Sequence, residues 1–265
     1  MIVGQEKLCR MIDNSTLDTF PRSLMLVGLE GSGKHLLCNY IATKFNLPMN
    51  DITESLDLDT ITDIYQKVEP SIYTILINKI SVQKENLILK FLEEPLKNAY
   101  IILLAETEIG ILQTVLNRCQ IWQLQHYSKE VLSTFITNGD TSILDVAQTP
   151  GQVISLSGHP FQEMIVLADK MLNRIKKVTI PTAIGISEKM AHKNEKDKFN
   201  VKIFVDILLN RISKMWAETS DASLVEVYRL TSELKRDMSI NNVDVKSLFE
   251  KYLLDLRFAM RGSIL

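Results

Sequence analysis

The 265-residue chain is 46% hydrophobic and 23% charged, an ordinary globular composition with length for two or three domains and a well-buried core. No apolar run approaches the length of a bilayer, and Met1 to Glu6 lacks the charged start and apolar core of a signal peptide, so a cytoplasmic protein without membrane contact is expected. A net charge of −2 argues against a chain that holds nucleic acid by itself, and Cys9, Cys38 and Cys119, widely spaced with no CxxC pair, suggest neither a disulfide framework nor zinc. Charge is unevenly placed: residues 1–165 carry 12 Lys and Arg against 19 Asp and Glu, residues 166–265 carry 18 against 13, which suggests different neighbours for the two parts.

Leu8, Met11 and Ile12 put a helical stripe in residues 5–13, and Asn14 to Phe20 is a polar connector ending at Pro21. The apolar run Leu24 to Val27 reads as a buried strand, and Leu36 to Phe45 as a helix. Between them lies Gly28-Leu29-Glu30-Gly31-Ser32-Gly33-Lys34-His35, the strand, glycine-rich turn and helix of a phosphate-binding loop. Gly28, Gly31 and Gly33 let several backbone N–H groups point at one anion, and Lys34 is placed to reach a terminal phosphate. His35 stands where a hydroxyl should hold Mg²⁺, and imidazole does not replace such a ligand on a hard, oxygen-seeking ion.

Asn50 to Thr53 is a weak strand candidate, and Leu58, Ile61, Ile64, Tyr65 and Val68 form a helical stripe stopped by Pro70. Tyr73 to Ile77 reads as a strand buried on both faces, residues 82–94 as a helix ended by Pro95, Tyr100 to Ala105 as another buried strand and Ile121 to Leu124 as a short last one. This alternation gives an α/β fold, a doubly wound parallel sheet with its crevice at the strand C-termini. A working phosphate-loop ATPase needs a carboxylate at the end of the next buried strand; after Ile77 come Asn78 and Lys79. The loop therefore reads as retained for its structure rather than for hydrolysis.

Past Gln125 the strand pattern stops. Ser128 caps a helix to about Thr137, Thr141 starts another, and Pro150-Gly151 separates it from a third that ends at Gly158-His159-Pro160. From Phe161 the chain is helical by period, with stripes Ile165 to Ile175, Val201 to Trp216 and Val245 to Leu256, and a polar helix end and loop at His192 to Lys198. The domains expected are 1–126, a phosphate-loop α/β domain; 127–159, a small three-helix lid; and 160–265, an all-α bundle.

Gly4-Gln5, the glycine loop, the helix ending Leu92-Glu93-Glu94-Pro95 and the pair Arg118-Cys119 together resemble the AAA+ clamp-loader subunits of bacterial DNA replication, in the family's order and roughly its spacing. The degraded loop is most similar to that of the delta-prime subunit of DNA polymerase III. The resemblance implies an AAA+ module with a five-stranded parallel sheet, a lid and a helical collar in a hetero-oligomeric ring with other clamp-loader subunits, serving the sliding clamp and, indirectly, primer–template DNA. It implies no required cofactor, at most weak ATP, ADP or phosphate binding, no zinc, and no intrinsic ATPase activity. It also implies that Arg118 acts in trans on a neighbour's γ-phosphate, as a guanidinium can pair with two phosphate oxygens. Asn117 departs from the family's Ser, and the stretch between His35 and Tyr73 lacks its cysteine cluster. The alternatives are an active AAA+ ATPase or DNA-remodelling motor that recruits metal unconventionally, and a stand-alone AAA+ scaffold.

Overall fold

A computed structural model describes residues 2–93, 98–137, 139–174, 200–238 and 244–261. The chain divides into two compact units, Met1–Phe135 with Gln148–Gln152, and Ile136–Ala147 with Val153–Leu265.

The first unit is built on strands β1 (Ser23–Val27), β2 (Met49–Asp51), β3 (Ser71–Leu76), β4 (Ala99–Ala105) and β5 (Gln120–Gln123). All pair in parallel in the order β2-β3-β4-β1-β5. Its helices are α1 (Glu6–Asp13), α2 (Lys34–Phe45), α3 (Leu58–Gln66), α4 (Val82–Glu93), α5 (Gln113–Leu116) and α6 (Lys129–Ser133). Successive strand residues point to opposite faces, so the sheet feeds two cores. Leu24 and Leu26 join Cys9, Ile12, Leu37, Cys38 and Ile41 on one side, while Met25 and Val27 join Ile61, Ile64, Ile88 and Phe91 on the other. Each such Leu or Ile contributes about 1.5–3 kcal/mol by leaving water. With cover on both faces, all seven residues of β4 are buried, which is why its sequence reads as an unbroken apolar run.

Several boundaries differ from the sequence reading for local reasons. Leu58 is 64% exposed and Val68 is 81% exposed, because α3 starts at Leu58 behind its N-cap Asp57 and ends at Gln66. On α1 the inward position goes to Cys9 instead of Met11. The helix after Ser128 stops at Ser133, and the one expected from Thr141 is a 3₁₀ turn, Thr141–Asp145. Pro150 does not separate helices: it opens α7 (Pro150–Ser157) at the first helical position, where a missing N–H costs nothing.

The second unit holds α8 (Phe161–Arg174), α9 (Val201–Thr219), α10 (Ser223–Asp237) and α11 (Val245–Arg261), in which α9 packs on α8 and α10, and α10 on α11. Met164 takes the core position expected of Ile165. The Arg211 guanidinium donates to both Asp169 oxygens, at 2.6 and 3.0 Å, tying α9 to α8. The Tyr252 hydroxyl, pushed up in pKa by burial, bonds Thr231 at 2.8 Å between α11 and α10. Glu94, Pro95, Ile175, the polar run 192–198 and the side chains of Lys79 and Val245 lie outside the described residues. Among the described residues no helix is long and apolar enough to cross a membrane.

Candidate functional site

The glycine loop joins the C-terminal end of β1 to α2, at the crevice end of the sheet. Gly31 and Gly33 adopt φ of +75° and +94°, values that side chains resist. At Gly31 space is short as well as torsion: a Cβ there would sit 2.8 Å from Thr149 Oγ1 and 2.9 Å from the Gly151 Cα. That contact is a built one, since Gly151 N–H donates to Gly31 O at 3.0 Å and the Thr149 hydroxyl to Glu30 O at 2.8 Å. Gly28 is confined differently, with Leu124 Cβ 3.0 Å from where its own Cβ would lie.

Lys34 is buried, and its amine is turned back on the loop, donating to Gly28 O and, at 3.0 Å, to Leu29 O. Desolvation pulls its pKa down, while the carboxylates of Glu106 and Glu30 act in the opposite sense. The sequence reading gives neither acid a role. Glu30 is an interior residue of the glycine loop and Glu106 directly follows β4, so position at the crevice end of a central strand was the signal for it. Both add negative charge beside a loop whose shape suits an anion. The Ser32 hydroxyl, also buried, has no hydrogen-bond partner.

The residues do not fit a magnesium nucleotide. His35 is exposed, and at the end of β3 the Asn78 Oδ1 already accepts the Glu106 N–H at 2.9 Å. Among the described residues no three His, Cys, Asp or Glu side chains gather as a metal site.

The N-terminal segment closes this end of the sheet. Buried Gln5 donates through Nε2 to Gln125 O at 2.9 Å and accepts from Gln125 N at 2.8 Å. Tyr127 lies against Gly4, φ +77°, and donates its hydroxyl to Ser32 O at 2.7 Å, linking the two glycine motifs.

Arg118 is held apart from the loop, between α5 and the edge strand β5. Nη1 donates to Thr114 O at 2.9 Å and Nη2 meets Glu93 Oε1, on the last residue of α4, at 2.8 Å; 34% of the side chain is exposed. The Asn117 side chain accepts from Gln113 Nε2 at 2.8 Å, a link between side chains along one turn of α5. The neighbouring Cys119 thiol is pushed up to about 12 by burial, so it brings no charge to the guanidinium at neutral pH. Lys34 and Arg118 thus form no common site within the unit.

Residues 72–128 match the family model described as DNA polymerase III, delta subunit. That stretch runs from β3 through Arg118 to the residue capping α6, and leaves out the glycine loop. Across 97% of the chain and all of the other, the structure is similar to a DNA polymerase III gamma subunit-related protein of Thermotoga maritima, with 14% identity and a TM-score of 0.50. The Thermotoga maritima RuvB Holliday junction branch migration motor is similar at 17% identity over 73% of this chain and 76% of its own, with a TM-score of 0.45. A Bacillus subtilis DNA clamp loader delta protein matches over 96% and 99% at 12% identity, with a TM-score of 0.36. Of the three the first alone reaches 0.50, and at its identity the likeness is one of fold. No curated protein sequence matches the chain.

Proposed function

Starting from a chain related to the clamp-loader subunits of DNA polymerase III, we propose that it serves as a delta-prime-like member of a hetero-oligomeric loader ring. In this reading it does not hydrolyse ATP itself, completes a neighbour's ATP site with Arg118, and helps place the sliding clamp on primer–template DNA. Its domains follow the same plan, with residues 1–126 as the AAA+ module, 127–159 as the lid and 160–265 as the collar. The observation that carries the reading is the state of the chain's own loop: Lys34 is bonded to Gly28 O and Leu29 O, and Asn78 occupies the strand end that should carry a carboxylate. A guanidinium with no phosphate to meet in its own subunit gains a chemical role only across a subunit boundary. The exposure of Arg118 beside the edge strand supports this reading.

An arginine supplied in trans accelerates phosphoryl transfer by about a thousandfold or more at the site it completes. In a ring with several sites the loss of one such group slows total turnover less than that while impairing loading more. The test is a ring reconstituted from the host's subunits with Arg118→Ala alone: assembly intact, DNA-stimulated ATP hydrolysis reduced and clamp loading reduced further. Arg118→Lys rescues poorly, because an ammonium is a point charge without the two-pronged fork. Unchanged ATPase and loading would refute the role.

One observation favours the rival, an ATPase with unconventional metal binding: Glu30 and Glu106 both act on Lys34. The purified chain is expected to show no steady ATP turnover. Turnover that Lys34→Ala abolishes would establish the rival.

A further inference from the structure

Arg118 does not hang free at the edge of the sheet; both of its terminal nitrogens are occupied within the subunit. We propose, resting on the reading of Arg118 given above, that Glu93 is a latch on this arginine, which an approaching nucleotide phosphate of the neighbouring subunit has to displace. The latch belongs to a larger brace. Helix α4 carries two carboxylates two turns apart that both hold the α5 segment: buried Glu85 accepts the Leu112 N–H at the N-cap of α5 through Oε2 at 3.2 Å, and Glu93 takes Arg118 just past its C-terminal end. Glu85 fixes where the segment sits, and Glu93 fixes where the guanidinium points.

The two contacts differ in how easily they open. Glu85 is buried and its hydrogen bond is shielded, whereas Glu93 is half exposed and pairs with Arg118 in contact with water. An exposed ion pair contributes little and is weakened by salt. A phosphate group offers the fork two charged oxygens in place of one carboxylate oxygen, so it wins the exchange, while the Thr114 carbonyl can keep Nη1 during it. The latch therefore sets a threshold for engagement, about fivefold in nucleotide concentration at most, instead of blocking it.

Two readouts test this, one of which needs no ring. The full-length chain is treated with phenylglyoxal, which reacts with both terminal nitrogens of a free guanidinium, and modification of Arg118 is followed by peptide mass with Arg211 as the internal standard. Glu93→Gln and Glu93→Ala are expected to raise the Arg118 rate several-fold and leave that of Arg211 unchanged. In the reconstituted ring Glu93→Gln is expected to lower the ATP concentration for half-maximal turnover by about two- to fivefold with kcat unchanged. An unchanged Arg118 modification rate overturns the latch, as does a fall in kcat, which would make Glu93 an aid to catalysis. If instead Arg118→Ala leaves ring turnover untouched, the parent reading fails while the modification rates still decide whether Glu93 holds the arginine.

Discussion

At the scale of single residues the crowded backbone contact between Gly31 and Gly151 makes the sharpest demand. A Cβ at Gly31 meets a hydroxyl and a backbone carbon inside 3 Å, and the left-handed torsion adds roughly 1–2 kcal/mol for any other residue. Gly31→Ala is therefore expected to destabilise the first unit by about 2 kcal/mol or more in urea unfolding, and Gly33→Ala, which meets no atom closer than 3.7 Å, by the torsional part only. The glycines were legible because their spacing reflects a local need of the backbone. The direction taken by Lys34 was not, since it depends on two carbonyls brought to the amine by folding and on burial that no local pattern encodes. Glu93 and Arg118 were each visible, but their pairing exists only once α4 and α5 pack together.

Among the elements, helix ends reveal how much a short polar residue decides. The Asn200 Oδ1 accepts from the N–H groups of Lys202 and Ile203, at 2.9 and 3.3 Å, and so starts α9, the longest helix described. Asn200→Ala is expected to cost about 1 kcal/mol in the second unit, and Asn200→Asp to cost little, which chemical denaturation would measure. Periodicity found α4, α8 and α9 because one face of each is sealed in a core. It read the region of α10 as helical without setting out its stripe, although Leu224, Val227, Leu230 and Leu234 sit at helical spacing, because charged residues between them dilute the pattern. It also could not separate α-helix from 3₁₀ turn at Thr141–Asp145, where a five-residue element carries less than two turns of pattern.

For the whole molecule the question is what the helical part does in an assembly. Trp216 and Phe258, on α9 and α11, are 52% and 71% exposed, on helices that bury Phe204, Leu208 and Ile212, and Phe249, Leu253 and Leu256. Large exposed aromatics of this kind are what interfaces recruit. The double substitution Trp216→Ala with Phe258→Ala is expected to weaken ring assembly by tenfold or more, at 1.4 kcal/mol per decade, without lowering the melting temperature of the free chain. Sedimentation of the reconstituted mixture would report the first and calorimetry the second; unaltered assembly would move the interface elsewhere.

The amide of Gln5 has a consequence for sequence. By giving one hydrogen bond to Gln125 and taking one back, it behaves as a peptide group borrowed from a neighbouring strand, planted on a side chain and sealed from water. Asparagine and glutamine alone carry a donor and an acceptor on one such planar group, and asparagine is a methylene too short. Glutamate would set oxygen against the Gln125 carbonyl, and an alkyl chain would leave both of its main-chain groups unmet. Position 5 is thus a one-letter alphabet, dictated by main-chain geometry rather than by chemistry at the crevice.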